Sequence, residues 1–237
     1  LQAVYGFQID LNTSFTGEDS LDVSIDGGNA VSGPLSEFDL NGTGDALQVD
    51  GVSYTFPVGG LTAIVGDNTD GSALFTTACA YGGPSNTLDD CANVNAGITN
   101  GGVAVGAAYD FGNGLTAAVG FAGPEAGIMT DEGDDAYGAN LAYTADNYGV
   151  SFTYGVLEVG DNENTYAATN AYYSLDNGLN ISIGYELGDL GGEPATTDES
   201  TNYFVGVNGA LGAGELGVAL GTSGGQQEGS DEELMYE

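Results

Sequence analysis

Apolar and polar residues alternate with a period of two along most of this chain. Val103, Val105, Ala107, Tyr109 and Phe111 fall on one face of an extended segment, and Ala104, Gly106, Ala108 and Asp110 fall on the other. That period marks a strand whose two faces meet different surroundings. Gly112-Asn113-Gly114 follows, and because Gly and Asn tolerate positive φ it predicts a tight turn. The chain then returns with Leu115, Ala117, Val119 and Phe121 opposite Thr116, Ala118 and Gly120. The same unit recurs at Tyr137–Val156 around a turn at Asp146–Gly149, at Leu179–Leu187 after Asp176-Asn177-Gly178, and at Tyr203–Leu220 around a Gly/Ala turn near 210–214. An N-terminal strand alternates equally well, with Tyr5, Phe7, Ile9 and Leu11 against Gly6, Gln8, Asp10 and Asn12. The elements are antiparallel hairpins, about twelve to thirteen strands in all.

Connection lengths alternate too. Short turns are predicted near 59–60, 112–114, 146–149, 176–178 and 210–214, and long connections at 67–100, 122–136, 159–165 and 188–201. Much of the acid lies in the long set, at Asp131, Glu132, Asp134 and Asp135, at Asp161 and Glu163, and at Asp189, Glu193, Asp198 and Glu199. One tight rim and one loopy, acidic rim describe a transmembrane barrel. A solenoid with a similar period would share consensus residues between repeats, and these hairpins share only pattern.

Alternation does not say which face meets water. In a soluble sandwich the apolar row points into a core; in a membrane barrel it meets lipid and the other row lines the lumen. Here the second row is mostly Gly, Ala, Ser, Thr and Asn, and Tyr and Phe gather toward strand ends, where interfacial girdles lie. Strands of about nine residues suit a tilted bilayer span. The fold class expected is all-β, an antiparallel up-and-down transmembrane barrel of about 12–16 strands. It would form one domain over 1–237, with 67–100 as an inserted loop.

Composition narrows the function classes. The chain has 237 residues, 42 Gly, 14 Tyr, 9 Phe and no Trp; 35 Asp and Glu face no Lys, Arg or His, a formal charge of -35. No fold requires that absence, and it suggests design, editing or an unusual source. Nucleic-acid binding and polybasic membrane attachment both need cations the chain does not have. Hydrophobic residues at 41% oppose disorder. No apolar run reaches the ~20 residues of a spanning helix, and no cleavable signal segment is recognised. Without His there is no Ser-His or Cys-His nucleophile, and without Lys no phosphate loop or Schiff base. Adjacent acids such as Asp89-Asp90 and Asp134-Asp135 diverge, so no enzyme is expected. Gly212-Ala213-Gly214-Glu215-Leu216-Gly217 spells GxGxxG but sits between strands, where no helix follows to bind a pyrophosphate.

Several stretches carry a family resemblance: LNTSFTGED at 11–19, VSYTFPVGG at 52–60, the block 61–114, and YTADNYGVSFTYG at 143–155. On these the chain resembles the cyanobacterial outer-membrane porins of the carbohydrate-selective type, as a partial or altered member. The resemblance implies a cell outer-membrane location, passive diffusion of small hydrophilic solutes and ions, and an inserted loop at 67–100 that narrows the pore. It also implies contact with outer-membrane lipid and a homotrimer. Porin constrictions usually face carboxylates with arginines, and this chain has none. Asp10, Asp110 and Glu186 on the polar row would face the lumen, and Asp67, Asp70, Asp89 and Asp90 would stand in the constriction loop. With no fixed cation, the pore would prefer cations.

Cys79 and Cys91 both lie in the inserted loop, and an oxidising periplasm would join them, contributing about 3 kcal/mol in the chain-entropy model. Two free thiols are the alternative. Asp67-Asn68-Thr69-Asp70-Gly71 offers calcium ligands at Asp67 and Asp70 but no distal Glu, so a plain polar turn competes with it. Asp131–Asp135 is a second such candidate, and no other cofactor is implied. Two further readings stand beside the pore. One is a secreted acidic β protein that binds calcium or builds a surface assembly; the other is a redesigned or partial porin without transport.

Overall fold

The computed structural model describes residues 3–30, 42–83, 85, 87–99, 102–130, 133–160, 162–191, 199–222 and 234–237. The strands are β1 (Gly6–Thr13), β2 (Ser20–Gly28), β3 (Leu47–Val58), β4 (Leu61–Asp67), β5 (Val103–Gly112), β6 (Leu115–Gly123), β7 (Ala136–Thr144), β8 (Tyr148–Val159), β9 (Asn162–Ser174), β10 (Leu179–Asp189), β11 (Glu199–Leu211), β12 (Gly214–Thr222) and β13 (Leu234–Tyr236). All thirteen join one sheet in sequence order. Every neighbouring pair is antiparallel, so the topology is a pure meander. Among the described residues β1 pairs only with β2 and β13 only with β12, and the sheet is an open wall.

The short turns follow from local chemistry. Between β5 and β6 the register shifts at Asp110/Gly112, and Gly112, Asn113 and Gly114 all take positive φ. Gly114 is also sterically required, because a Cβ there would strike the Thr144 carbonyl oxygen on the next hairpin. The turn that joins β1 to β2 closes on Asp19 Oδ1, which accepts from the Thr16 N–H at 2.8 Å, the Phe15 N–H at 3.0 Å and the Ser14 hydroxyl at 2.6 Å. These bonds, led by the one from Ser14, hold the Asp19 carboxyl well below the usual carboxylate range.

One expected connection is shorter than the sequence suggested. Residues 159–165 were expected to form a long loop, yet β8 runs to Val159 and β9 resumes at Asn162, with Glu158 opposite Glu163. A ladder needs only backbone partners, so polar residues extend a hairpin past the apolar zone. Of the acids placed in the long connections, Asp131, Glu132, Asp161, Glu193 and Asp198 lie outside the described residues.

The two faces settle which row is outside. In β10, Ile181, Ile183, Tyr185 and Leu187 are 39–53% exposed, whereas Ser182, Gly184, Glu186 and Gly188 between them are buried. The same inversion holds for Leu141 against Asn140 and Ala142, for Phe152 against Ser151 and Thr153, and for Val205 against Phe204. A soluble sandwich would show the reverse. The buried groups are clustered on the inner face: Tyr81, Leu88, Cys91, Ala92, Phe204 and Ala219 in one cluster, and Ala96, Tyr166 and Ala168 in a smaller one. Residues of the inserted segment 68–102 supply part of both, so the core is the seam between that segment and the wall.

An arginine at an outward position near mid-strand tests this polarity. Ile183→Arg should lower unfolding stability in vesicles by about 2–4 kcal/mol, as a charge on a lipid-facing strand does. Urea titration of the vesicle-inserted chain measures it, and a change below about 0.5 kcal/mol, as at an ordinary surface site, would contradict a lipid-facing row.

Candidate constriction site

Residues 68–102 leave the end of β4, cross the inner face of the wall, and return to β5. Among its described residues the segment contains no helix or strand. Its backbone groups therefore need other partners. Wall side chains supply them. The Thr76 N–H donates to Asn140 Oδ1 on β7 at 3.0 Å, the Ala78 N–H to Ser151 Oγ on β8 at 2.9 Å, and the Ala80 N–H to Ser182 Oγ on β10 at 3.0 Å. The alternate spacing is that of an extended chain with one edge against the wall. Two extended residues advance about 6.6–6.8 Å and strands stand about 4.7–4.9 Å apart, so an oblique crossing meets successive strands. Asn140 Nδ2 returns a bond to the Thr76 carbonyl at 3.1 Å, and Asn170 Nδ2 on β9 donates to the Cys91 carbonyl at 2.7 Å.

Glycines on the inner row let the segment lie this close. A Cβ at Gly120 would strike the Gly71 carbonyl oxygen, one at Gly184 the Cys91 carbonyl oxygen, and one at Gly155 would lie 2.8 Å from the Ala96 carbonyl oxygen. The abundance of Gly on the polar row is thus a packing requirement here rather than a sign of a bare lumen.

Glu186 corrects one expectation. It lies on the inward row of β10, but the segment covers it completely, and it is 0% exposed rather than water-facing. Its Oε2 accepts from the Asn95 N–H at 2.9 Å and the Ala96 N–H at 2.8 Å, and its Oε1 from Asn95 Nδ2 at 2.8 Å and Asn202 Nδ2 at 3.0 Å. Four neutral donors replace the cation that a buried carboxylate usually takes.

The segment is also tied to itself and to the far side of the wall. A disulfide joins Cys79 and Cys91, whose Cα atoms are 6.5 Å apart. Tyr81 packs edge-on against Phe204 at 5.3 Å between ring centroids and donates its hydroxyl to Glu237 Oε2 at 2.9 Å. Burial, with the Glu237 bond second, pushes the Tyr81 phenol up to about 12. Asp90 accepts from the Ala92 N–H at 3.0 Å. Burial foremost, then the nearby charges of Asp89 and Glu186, push its carboxyl up to about 6.

The inner face of β1–β3 carries no such cover. Its inward row presents Gln8, Asp10 and Asn12 opposite Asp26, Ser24 and Asp22. Asp10 accepts from the Ser24 hydroxyl at 2.7 Å, and Asp22 from the Ser20 hydroxyl at 2.6 Å. A cleft of about 530 Å³ lies between this wall and the start of the inserted segment, lined by Asp22, Ser24, Asp50, Ser53, Asn68 and Asp70, among others.

The expected residues therefore separate into groups. Asp10 and Asp70 face the open side. Asp110 shares the inward phase of Ala104 and Gly106 but sits at the tight rim, bonded to the Gly112 N–H at 2.7 Å. Asp67 ends β4 in the phase of outward Val65 and accepts from the Asn68 N–H at 3.1 Å. Asp89 and Asp90 are together on the segment. Among the described residues no group of three or more His, Cys, Asp or Glu side chains is placed to share a metal ion, at Asp67 and Asp70 or elsewhere. Of the second calcium candidate, Asp134 accepts from the Gly160 N–H at 2.7 Å and Asp135 from the Met129 N–H at 2.7 Å. Sequence reasoning missed Asp22 and Asp50 on the open wall and the tethering role of Asn140, Ser151, Asn170, Ser182 and Asn202. Their phase on the polar row was visible, but a water-facing and a segment-facing Asn have the same signature.

An antiparallel wall with its apolar row outward and an inserted segment bound inside defines the porin class of fold. Solved structures agree. Two engineered variants of the porin of Rhodopseudomonas blastica superpose with TM-scores of 0.57 and 0.58, each 12% identical, covering 92% of this chain and 84% of that chain. A further structure, described as showing asymmetric conductivity of engineered proteins, gives a TM-score of 0.55 at 12% identity with the same coverage. No family model matches the sequence, and no curated protein does.

Two measurements probe the tethers. Glu186→Gln turns an amide N–H₂ toward donors, and should weaken attachment of the segment by about 1–3 kcal/mol. Chymotrypsin should then cut at Tyr81 or Leu88 faster than in the unaltered chain. Asp90 predicts a pH effect. Its folded pKa lies above the unfolded value, so between about 4 and 6 the folded chain holds a proton that the unfolded chain has released. Its contribution to stability therefore falls as pH rises from 4 to 7. Thermal unfolding at pH 5 and pH 7 should show a smaller difference in Asp90→Asn than in the unaltered chain.

Proposed function

We propose that this chain forms the wall and constriction of a passive pore in the cell outer membrane, admitting small hydrophilic solutes and ions and favouring cations. The observation that carries the reading is the inverted wall: apolar side chains outward on β5–β12, and polar side chains inward holding a segment across the interior. Such a wall is stable where its outside meets lipid and its inside meets water and protein. The likeness to porin structures supports the same reading at the level of fold.

Cation preference follows from charge. Asp10, Asp22, Asp50 and Asp70 stand on the uncovered side, and the chain carries no Lys, Arg or His to offset them. A ring or row of carboxylates in a narrow aqueous path concentrates cations and repels anions. The sequence resemblance adds sugars to the proposed solutes, outer-membrane lipid as the surroundings, and a homotrimer as the assembly.

Planar-bilayer recording tests the proposal. Stepwise conductance with a reversal potential displaced toward that of potassium is expected across a potassium chloride gradient. The displacement should shrink as total salt rises, since the Debye length falls from about 10 Å at 0.1 M to about 3 Å at 1 M. Equal permeability of potassium and chloride at low salt would refute the selectivity, and a chain that stays monodisperse without detergent would refute the pore.

A further inference from the structure

A second cleft, of about 330 Å³, lies within the inserted segment, between the arms that the Cys79–Cys91 disulfide joins. Its walls include Phe75, Thr77, Tyr81, Asp89, Asp90 and Asn93. We propose that this cleft binds a small primary ammonium ion, a protonated amine with a short apolar chain. The inference rests on the pore reading only for its biological setting; the site stands on its own geometry.

The contents of the cleft are specific. Asp89 and Asp90 bring two carboxyl groups together, and no cation of the chain is available to neutralise them. Asn93 is 7% exposed, and among the described residues its Oδ1 accepts no hydrogen bond, although its Nδ2 donates to Thr77 Oγ1 at 2.9 Å. A buried carbonyl oxygen without a donor is costly and calls for one. A primary ammonium group has three N–H donors and a positive charge, which suits two carboxyl groups and one carboxamide oxygen. The rings of Phe75 and Tyr81 line the same space and offer apolar surface and negative ring faces to the cation and its chain. A bare metal ion fits less well, because no third acidic, His or Cys ligand is placed there among the described residues. The volume falls at the small end of the range for ligand pockets, about 300–1,000 Å³.

Two readouts on the full-length protein in detergent or bilayers separate this site from the pore. Titration calorimetry with n-butylammonium should give saturable binding at one site, with tetramethylammonium, which has the charge but no N–H, at least tenfold weaker. Asp90→Asn and Asn93→Leu should each weaken butylammonium binding at least fivefold, while Asp10→Asn, on the other wall, should leave it unchanged. In bilayers butylammonium should interrupt the potassium current of the unaltered chain and not of Asn93→Leu. Equal binding of the two ammonium ions, or binding unaffected by Asn93→Leu, overturns the site. Calorimetric binding without any conductance supports the site and overturns the pore; conductance without saturable binding does the opposite.

Discussion

A polypeptide segment without helix or strand lies against the inside of this wall, and every backbone group it buries must find a hydrogen-bond partner. Most features of the inner face answer to that requirement. Asn140, Ser151 and Ser182 take alternate N–H groups of Thr76, Ala78 and Ala80, and Glu186 takes those of Asn95 and Ala96. Glycines at 120, 155 and 184 remove the Cβ atoms that would hold the segment away. A longer side chain at any of these positions would break both the contact and the bonds beside it.

Electrostatics are handled without a single fixed cation. Where carboxylates are enclosed, they collect neutral donors, as Glu186 does with four bonds and Asp19 does with the backbone of its own turn. Where they are not, they gather on the uncovered inner wall of β1–β3 and around the segment's first turn. The segment thus divides the interior into a packed side, against β5–β12, and a hydrated acidic side. Self-repulsion among 35 acidic groups acts against compactness, and the disulfide and the Glu237 bond to Tyr81 act in the opposite sense on the segment that carries Asp89 and Asp90.

The likeness to porin structures at 12% identity has a physical basis. A wall of this kind asks only for outward apolar residues in one phase, short polar or absent side chains in the other, and turn residues at one rim. Many sequences meet those conditions. What varies among them is the chemistry inside, and here it is carboxylates, amides and hydroxyls with no guanidinium to face them.

Much of the fold was legible from the chain alone. The period of two placed the hairpins, and Gly112-Asn113-Gly114 and Asp176-Asn177-Gly178 placed tight turns, because strand pitch and positive φ are local properties. Contrasting connection lengths placed the inserted segment, and two lone cysteines within it pointed to one bond. Only the tertiary structure decided which row is buried, since alternation is identical for a sandwich and a barrel wall. It alone turned Glu186 from a lumen charge into a tether, placed Asp67 in the outward phase and Asp110 at the rim, and brought Asp22 and Asp50 beside Asp70. The reason is that a side chain's phase along a strand is set by its neighbours in sequence, while what covers that side chain is set by a segment about ninety residues away in the chain, as Asn95 is from Glu186.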